Sequence, residues 1–238
     1  MYDMAHQAWA NDAIWDAVRA ELGFGPAALS RDMDPWAVWT SPDLILAQTC
    51  GLPFRAQLYG RTQLVGTPNY GVPGCQPGFY YSVLVGNPTG PAKLEGFEEI
   101  RFALNDPLSQ SGWGAPQQIL RQLGVPIKSL PATRSHYNSA MAVANGQADL
   151  AAIDVVTWSN FQRAAPGVTG RLRVLGQTVP TAGLPLITGQ NQDRLAVAQA
   201  VERGVAKADG GARLALGLLG IVPIAEAAYL SLPMPPPA

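Results

Sequence analysis

The residues best suited to chemistry lie in one short run, ALNDPLSQSGWGAPQQILRQLG, over positions 103–124. Ser109, Gln110 and Ser111 offer side-chain donors there, and Gly112 is expected to let a ligand approach the backbone. A small tetrahedral oxyanion needs such donors gathered around it. His136 adds an imidazole that can meet a ligand oxygen as a cation or as a neutral donor. Asp154 can accept a hydrogen bond from a protonated oxyanion, which favours phosphate-like over sulfate-like ligands; it can equally be a plain helix N-cap. Arg134 offers bidentate recognition but reads better as a solvated cation. Other chemistry finds less support. There is no Gly-x-Ser-x-Gly elbow and no His-Glu-x-x-His pair, so a hydrolase would need Cys50 or a serine as nucleophile and His136 as base. The two cysteines, Cys50 and Cys75, form no Cys-x-x-Cys, so no metal site is expected, and no cofactor.

The elements around the serines explain why they matter. Ile100 to Leu104 has strand character, and Asn105-Asp106-Pro107 is a turn, because proline cannot continue a ladder. A helix comes next, with Ile119, Leu120 and Leu123 on one side and Gly124 and Pro126 as its stop. The serines therefore stand at a helix N-terminus, where backbone N–H groups lack partners and the dipole is positive. Such an end is either an anion site or an ordinary cap.

Elsewhere strands and helices alternate. Residues 1–4 read as the end of a strand. Ala8 to Leu22 reads as a helix with Trp9, Ile14, Trp15, Val18 and Leu22 inward, and Gly23 past its end. Asp43 to Gln48 reads as a strand, which puts Gln48 and Thr49 at its carboxyl end, where α/β sheets bind ligands. Phe79 to Val85, Leu150 to Ile153 and Leu172 to Leu175 are further strands. Ser135 caps a helix from His136, and Asp193 to Lys207 is another helix. Pro233 to Ala238 reads as a disordered tail. The pattern is α/β.

Composition sets the bounds. The 238 residues are 47% hydrophobic and 14% charged, enough for one large or two modest cores. A net charge of −1 gives no reason to expect nucleic acid or a membrane surface as partner. No apolar run is long enough to span a bilayer, and no signal peptide is visible, so the start reads as processed, engineered or internal.

Three segments, in order, carry a resemblance. They are Asp106-Pro107-Leu108-Ser109-Gln110-Ser111-Gly112, the run from Ser135-His136 to Ala142-Val143-Ala144-Asn145-Gly146-Gln147-Ala148-Asp149, and Pro77-Gly78-Phe79-Tyr80-Tyr81-Ser82. Together they resemble the phosphonate, phosphite and phosphate solute-binding proteins of ABC transporters, with Gln110 where that family usually has threonine. The closing Leu219-Gly220-Ile221-Val222-Pro223 is similar to the family's last motif.

The resemblance implies a type II periplasmic-binding-protein fold: two lobes, a hinge and an interlobe cleft that closes on its ligand. Lobe one would be residues 1–82 plus 186–238, and lobe two 83–185. It implies ligand contacts from Ser109, Gln110, Ser111, Gly112, His136 and Asp154, and from Thr49, Gln48, Tyr2 and one of Phe79 and Tyr80. Members that hold aminoalkyl phosphonates use two acids, whose positions fall near Val156 and Leu184; neither is acidic here. The implied role is a monomeric extracytoplasmic receptor, not an enzyme, that hands a small oxyanion to a membrane permease. A sensory module of the same fold is the other reading. In a periplasm Cys50 and Cys75 would pair as a disulfide closing a loop of about 25 residues, worth roughly 3 kcal/mol. In a reducing compartment they would be separate small hydrophobes.

Overall fold

The computed structural model describes residues 2–238. The chain divides into two compact units, Met1–Phe79 with Ala182–Leu232, and Tyr80–Thr181 with Pro233–Ala238. The crossings thus fall three to four residues before the positions expected from the sequence.

In the first unit, helix α1 (Ala8–Leu22) ends at Gly23, whose φ of 77° is left-handed and whose N–H donates to the Arg19 carbonyl. Its inward stripe is Ala10, Asn11, Trp15 and Val18; Trp9, expected in that stripe, is 53% exposed because it lies on the opposite side of the helix from Asn11 and Trp15. Helix α2 (Pro35–Trp39) is capped by Asp34. Strand β1 (Ala47–Gln48) keeps only the end of the longer strand expected. Helix α3 (Gly51–Pro53) and strands β2 (Thr62–Asn69) and β3 (Phe79–Tyr80) complete this pass. Of the strand end expected at 1–4, position 1 lies outside the described residues, and 2–4 pair with no strand.

The second unit continues in chain order: β4 (Ser82–Gly86), β5 (Ile100–Ala103), α4 (Gln117–Leu123), β6 (Ile127–Ser129), α5 (His136–Ala144), β7 (Leu150–Asp154), α6 (Val155–Ala164), α7 (Pro166–Thr169) and β8 (Arg173–Gln177). Strand β9 (Thr181–Ala182) pairs with β3 where the chain crosses back. The first unit then closes with β10 (Leu186–Gly189), α8 (Arg194–Lys207), α9 (Gly210–Leu216), β11 (Gly220–Val222) and α10 (Ala227–Leu230).

The first unit's four-stranded sheet has the order β1-β10-β2-β11 and is antiparallel throughout. Helices α1, α8 and α9 gather beside it in one cluster with Trp15, Val18, Val197, Val201 and Leu216, joined by Leu218 just past α9. Gly204 makes the α1–α8 approach possible, because a Cβ there would stand 2.5 Å from Val18 Cα. A second cluster gathers Phe54, Leu58, Leu64, Ile187 and Tyr229. The Tyr229 hydroxyl lies 2.6 Å from Thr67 Oγ1, and burial pushes its phenol pKa well above the ordinary value.

The expected disulfide is not formed: Cys50 and Cys75 are separate, half-buried thiols. Cys50 precedes α3, within electrostatic reach of the Tyr229 hydroxyl. Cys75 closes a separate turn, its N–H donating to the Val72 carbonyl.

The second unit's five-stranded sheet has the order β6-β5-β7-β4-β8. Strand β5 runs parallel to β6 and β7, while β4 is antiparallel to β7 and β8. The carboxyl ends of β5, β6 and β7 therefore share one edge with the start of β4, where Ser82 sits opposite Asp154. The tail differs from expectation. Residues 233–238 belong to this unit, and the buried Trp113 donates its indole N–H to the Pro236 carbonyl at 2.9 Å.

Candidate functional site

The serine turn grows out of the end of β5. Asp106 folds it: its carboxylate accepts from Leu108 N–H at 2.7 Å and its carbonyl from Ser109 N–H at 3.0 Å. Ser109 then caps the next stretch of chain, its Oγ accepting from Gly112 N–H at 3.0 Å. The Ser109 carbonyl receives both Trp113 and Gly114 N–H, so Gln110–Gly114 is a wide turn that leads through Pro116 into α4. Trp113 anchors the turn on the core, its ring 5.8 Å from that of Phe102.

The second arm comes from the end of β6 and runs beside the first. Leu130, Thr133 and Arg134 N–H groups donate to the carbonyls of Phe102, Leu104 and Asn105. Arg134 has φ 71°, a left-handed backbone that turns the chain into α5. Ser135 caps that helix through Asn138 N–H, and the hydroxyls of Thr133 and Ser139 meet at 2.7 Å. This framework delivers His136 to the serine turn. Its Nε2 lies 2.9 Å from Ser111 Oγ, and Ser111 Oγ lies 3.4 Å from Ser109 Oγ.

Burial pushes the His136 pKa down to about 4, against a smaller opposite pull from the Ala152 carbonyl. Nδ1 is buried and makes no hydrogen bond of good geometry. The imidazole is therefore neutral at pH 7. It meets Ser111 as a hydrogen-bonding dipole, not as an ion.

Ser109, Ser111, Gly112 and His136 are thus brought together by direct bonds. Gln110 is buried in the same turn. At Gly112 the local packing is tight. Its N–H is already taken by Ser109, and a Cβ there would stand 1.7 Å from Asn105 Oδ1. The Asn105 side chain packed over it leaves no room for a Cβ. Asp154 is 2% exposed and its Oδ1 accepts from Val156 and Thr157 N–H at 2.8 and 2.9 Å, the capping role. One contact escaped sequence reasoning: the Ser82 hydroxyl donates to the Ser111 carbonyl at 2.9 Å.

The remaining candidates sit in other surroundings. Gln48 donates its side-chain amide to the Leu184 carbonyl, and its own carbonyl accepts from the Trp39 indole, so it ties down backbone. Thr49 is 1% exposed, and its hydroxyl has no partner among the described residues. Phe79 packs against the cluster of Phe54 and Tyr229. Tyr80, in the second unit, is buried. The Tyr2 and Tyr70 rings are nearly perpendicular, their centroids 5.0 Å apart.

Comparison with known proteins points in the same direction. The family described as "ABC transporter, phosphonate, periplasmic substrate-binding protein" matches residues 43–228. No curated protein matches the chain. Among solved structures, PhnD1 from Prochlorococcus marinus in complex with methylphosphonate is 16% identical, with a TM-score of 0.75 over 94% of this chain and 89% of that one. A binding protein component of an ABC phosphonate transporter from Pseudomonas aeruginosa is 17% identical, with a TM-score of 0.68 over 97% and 82%. A Xanthomonas citri protein bound to ATP is 17% identical, with a TM-score of 0.65 over 96% and 95%. At such identities these likenesses establish the fold.

Proposed function

Because the chain belongs to the periplasmic phosphonate-binding family of ABC transporter substrate-binding proteins, we infer that it captures a small phosphorus oxyanion through the serine turn and His136. The family places it outside the cytoplasm with a membrane permease as partner. The ligand, the contacts and a monomeric state are our reading. One observation carries it: two hydroxyls and a neutral imidazole, Ser109, Ser111 and His136, joined within 3.4 Å at the end of β5. They can turn donors toward an anion without a buried cation. Discrimination among phosphonate, phosphite and phosphate would then rest on the shape of this turn and on its own donors. In the first unit, the Thr49 hydroxyl has no partner among the described residues, whereas the Gln48 amide is already engaged.

The bond between Ser111 and His136 also resembles a nucleophile and its base. Two features weigh against the hydrolase reading. Among the described residues no carboxylate orients Nδ1, and a base of pKa about 4 takes up a proton poorly near neutral pH.

By resemblance, the acids of aminoalkyl-phosphonate binders fall near Val156 and Leu184, neither of which is acidic, so this protein is expected to ignore an amino group. Titration calorimetry with methylphosphonate, phosphite and aminoethylphosphonate tests this. Methylphosphonate or phosphite should bind at least as tightly as the amine. Aminoethylphosphonate binding far more tightly would overturn the ligand assignment.

A further inference from the structure

The serine turn carries a defect that its own sequence creates. In its wide pattern each carbonyl takes an N–H five residues on: Ser109 from Gly114, and Gln110 from Ala115 at 2.7 Å. Ser111 would next take residue 116, but that is Pro116, which has no N–H. The N–H one position earlier, on Ala115, is already held by Gln110. The Ser111 carbonyl is orphaned inside a buried turn, and such a group must find a partner elsewhere.

Ser82 is that partner. It is 1% exposed, and its hydroxyl donates to the Ser111 carbonyl at 2.9 Å. The Ser82 backbone is itself locked from the other side. Its N–H donates to Thr178 Oγ1 at 3.0 Å, and its carbonyl accepts from Thr178 N–H at 2.9 Å. The hydroxyl is thus fixed in place before it meets the turn. A continuous path runs from Thr178 on the edge beyond β8, through Ser82 on β4 and Ser111, to His136 on α5.

We propose that Ser82 is a positioning residue of the anion site, holding the Ser111 peptide so that the Ser111 hydroxyl stays on His136. The role rests on the reading of Ser111 and His136 as anion contacts. Ser82 itself touches no ligand. Without its hydroxyl, the Ser111 carbonyl must turn to find water or another donor, and the Ser111 side chain turns with the same peptide.

The test uses Ser82→Ala, and Ser82→Ala combined with Pro116→Ala, in the full chain. The second change restores an N–H at the position where the turn lacks one. Methylphosphonate affinity is read by calorimetry. The ring nitrogens of His136 are read by NMR on protein labelled only at histidine, where His6 is the sole other signal and serves as the internal control. Ser82→Ala should weaken binding about tenfold, as expected when a buried carbonyl loses its donor. It should also move the His136 nitrogen signals toward those of Ser111→Ala while His6 stays put. Pro116→Ala should recover part of both effects. If Ser82→Ala does not fold, Ser82→Cys keeps the shape with a weaker donor and should give the same changes, smaller in size. Unchanged His136 signals in a folded Ser82 variant would overturn the proposal, whatever its melting temperature. If the native protein binds no phosphorus oxyanion, the functional reading falls, while the His136 signals still decide the role of Ser82.

Discussion

Replacing His136 by glutamine should remove a specific part of the acid sensitivity of this protein. Burial lowers the imidazole pKa to about 4 in the folded chain, while an unfolded chain restores it to about 6.5. Between those two values the unfolded state binds the extra proton. Stability therefore rises with pH across this window, and is lost as pH falls from about 6.5 toward 4. A gap of roughly 2.5 units corresponds to about 3 kcal/mol at most, since each unit is worth about 1.4 kcal/mol. Other groups titrate lower. Asp149, hydrogen-bonded to the Arg101 guanidinium, and Asp3, beside Arg31, both have lowered pKa values despite opposing burial. Their contributions are present above the ordinary carboxylate range and fade below it. They are common to both proteins and cancel in the difference. Among the described residues no charged group acts on the ring: Asp149 is paired with Arg101 on β5, Asp154 caps α6, and only burial and the Ala152 carbonyl move its pKa. The assay is urea unfolding of native protein and His136→Gln at pH 7.5, 6.5, 5.5 and 4.5. The native protein should lose on the order of 2–3 kcal/mol more than the variant over this range. Parallel pH curves, or a His136 NMR titration centred near 6.5, would refute the claim that the ring is held neutral by burial.

Two glycine substitutions should separate packing from function. Gly204→Ala pushes a Cβ into the Val18 backbone, which cannot yield as a flexible side chain would, so it should cost about 1–3 kcal/mol in chemical unfolding with methylphosphonate affinity unchanged. Gly112→Ala forces Asn105 off the serine turn, so calorimetry should show weakened methylphosphonate binding together with lost stability.

The serine turn was legible in the sequence because its determinants are local. Asp106, Pro107, Ser109 and Ser111 act within a few residues of one another, and turn chemistry reads at that range. His136 was legible only through its motif, since its meeting with Ser111 spans 25 residues and depends on β5 and β6 lying parallel. Ser82 was invisible as a site residue: a serine at the start of a buried strand carries no mark of the carbonyl it serves, 29 positions away. At Gly112 the sequence shows the missing side chain, but not Asn105 filling the space. Trp9 was misplaced because a helix of this composition has apolar residues on more than one face. The proline-rich tail read as disordered for want of a core, yet the buried Trp113 indole N–H needs an acceptor and takes the Pro236 carbonyl.

The most direct measurement is methylphosphonate binding, by calorimetry at pH 7, to native protein and to Ser109→Ala/Ser111→Ala. The native chain should bind with a clear heat, and the double variant, still folded by circular dichroism, should bind at least a hundredfold more weakly, as loss of two hydrogen bonds to a charged ligand requires. Equal affinities in the two proteins would mean that the anion is held somewhere other than the serine turn.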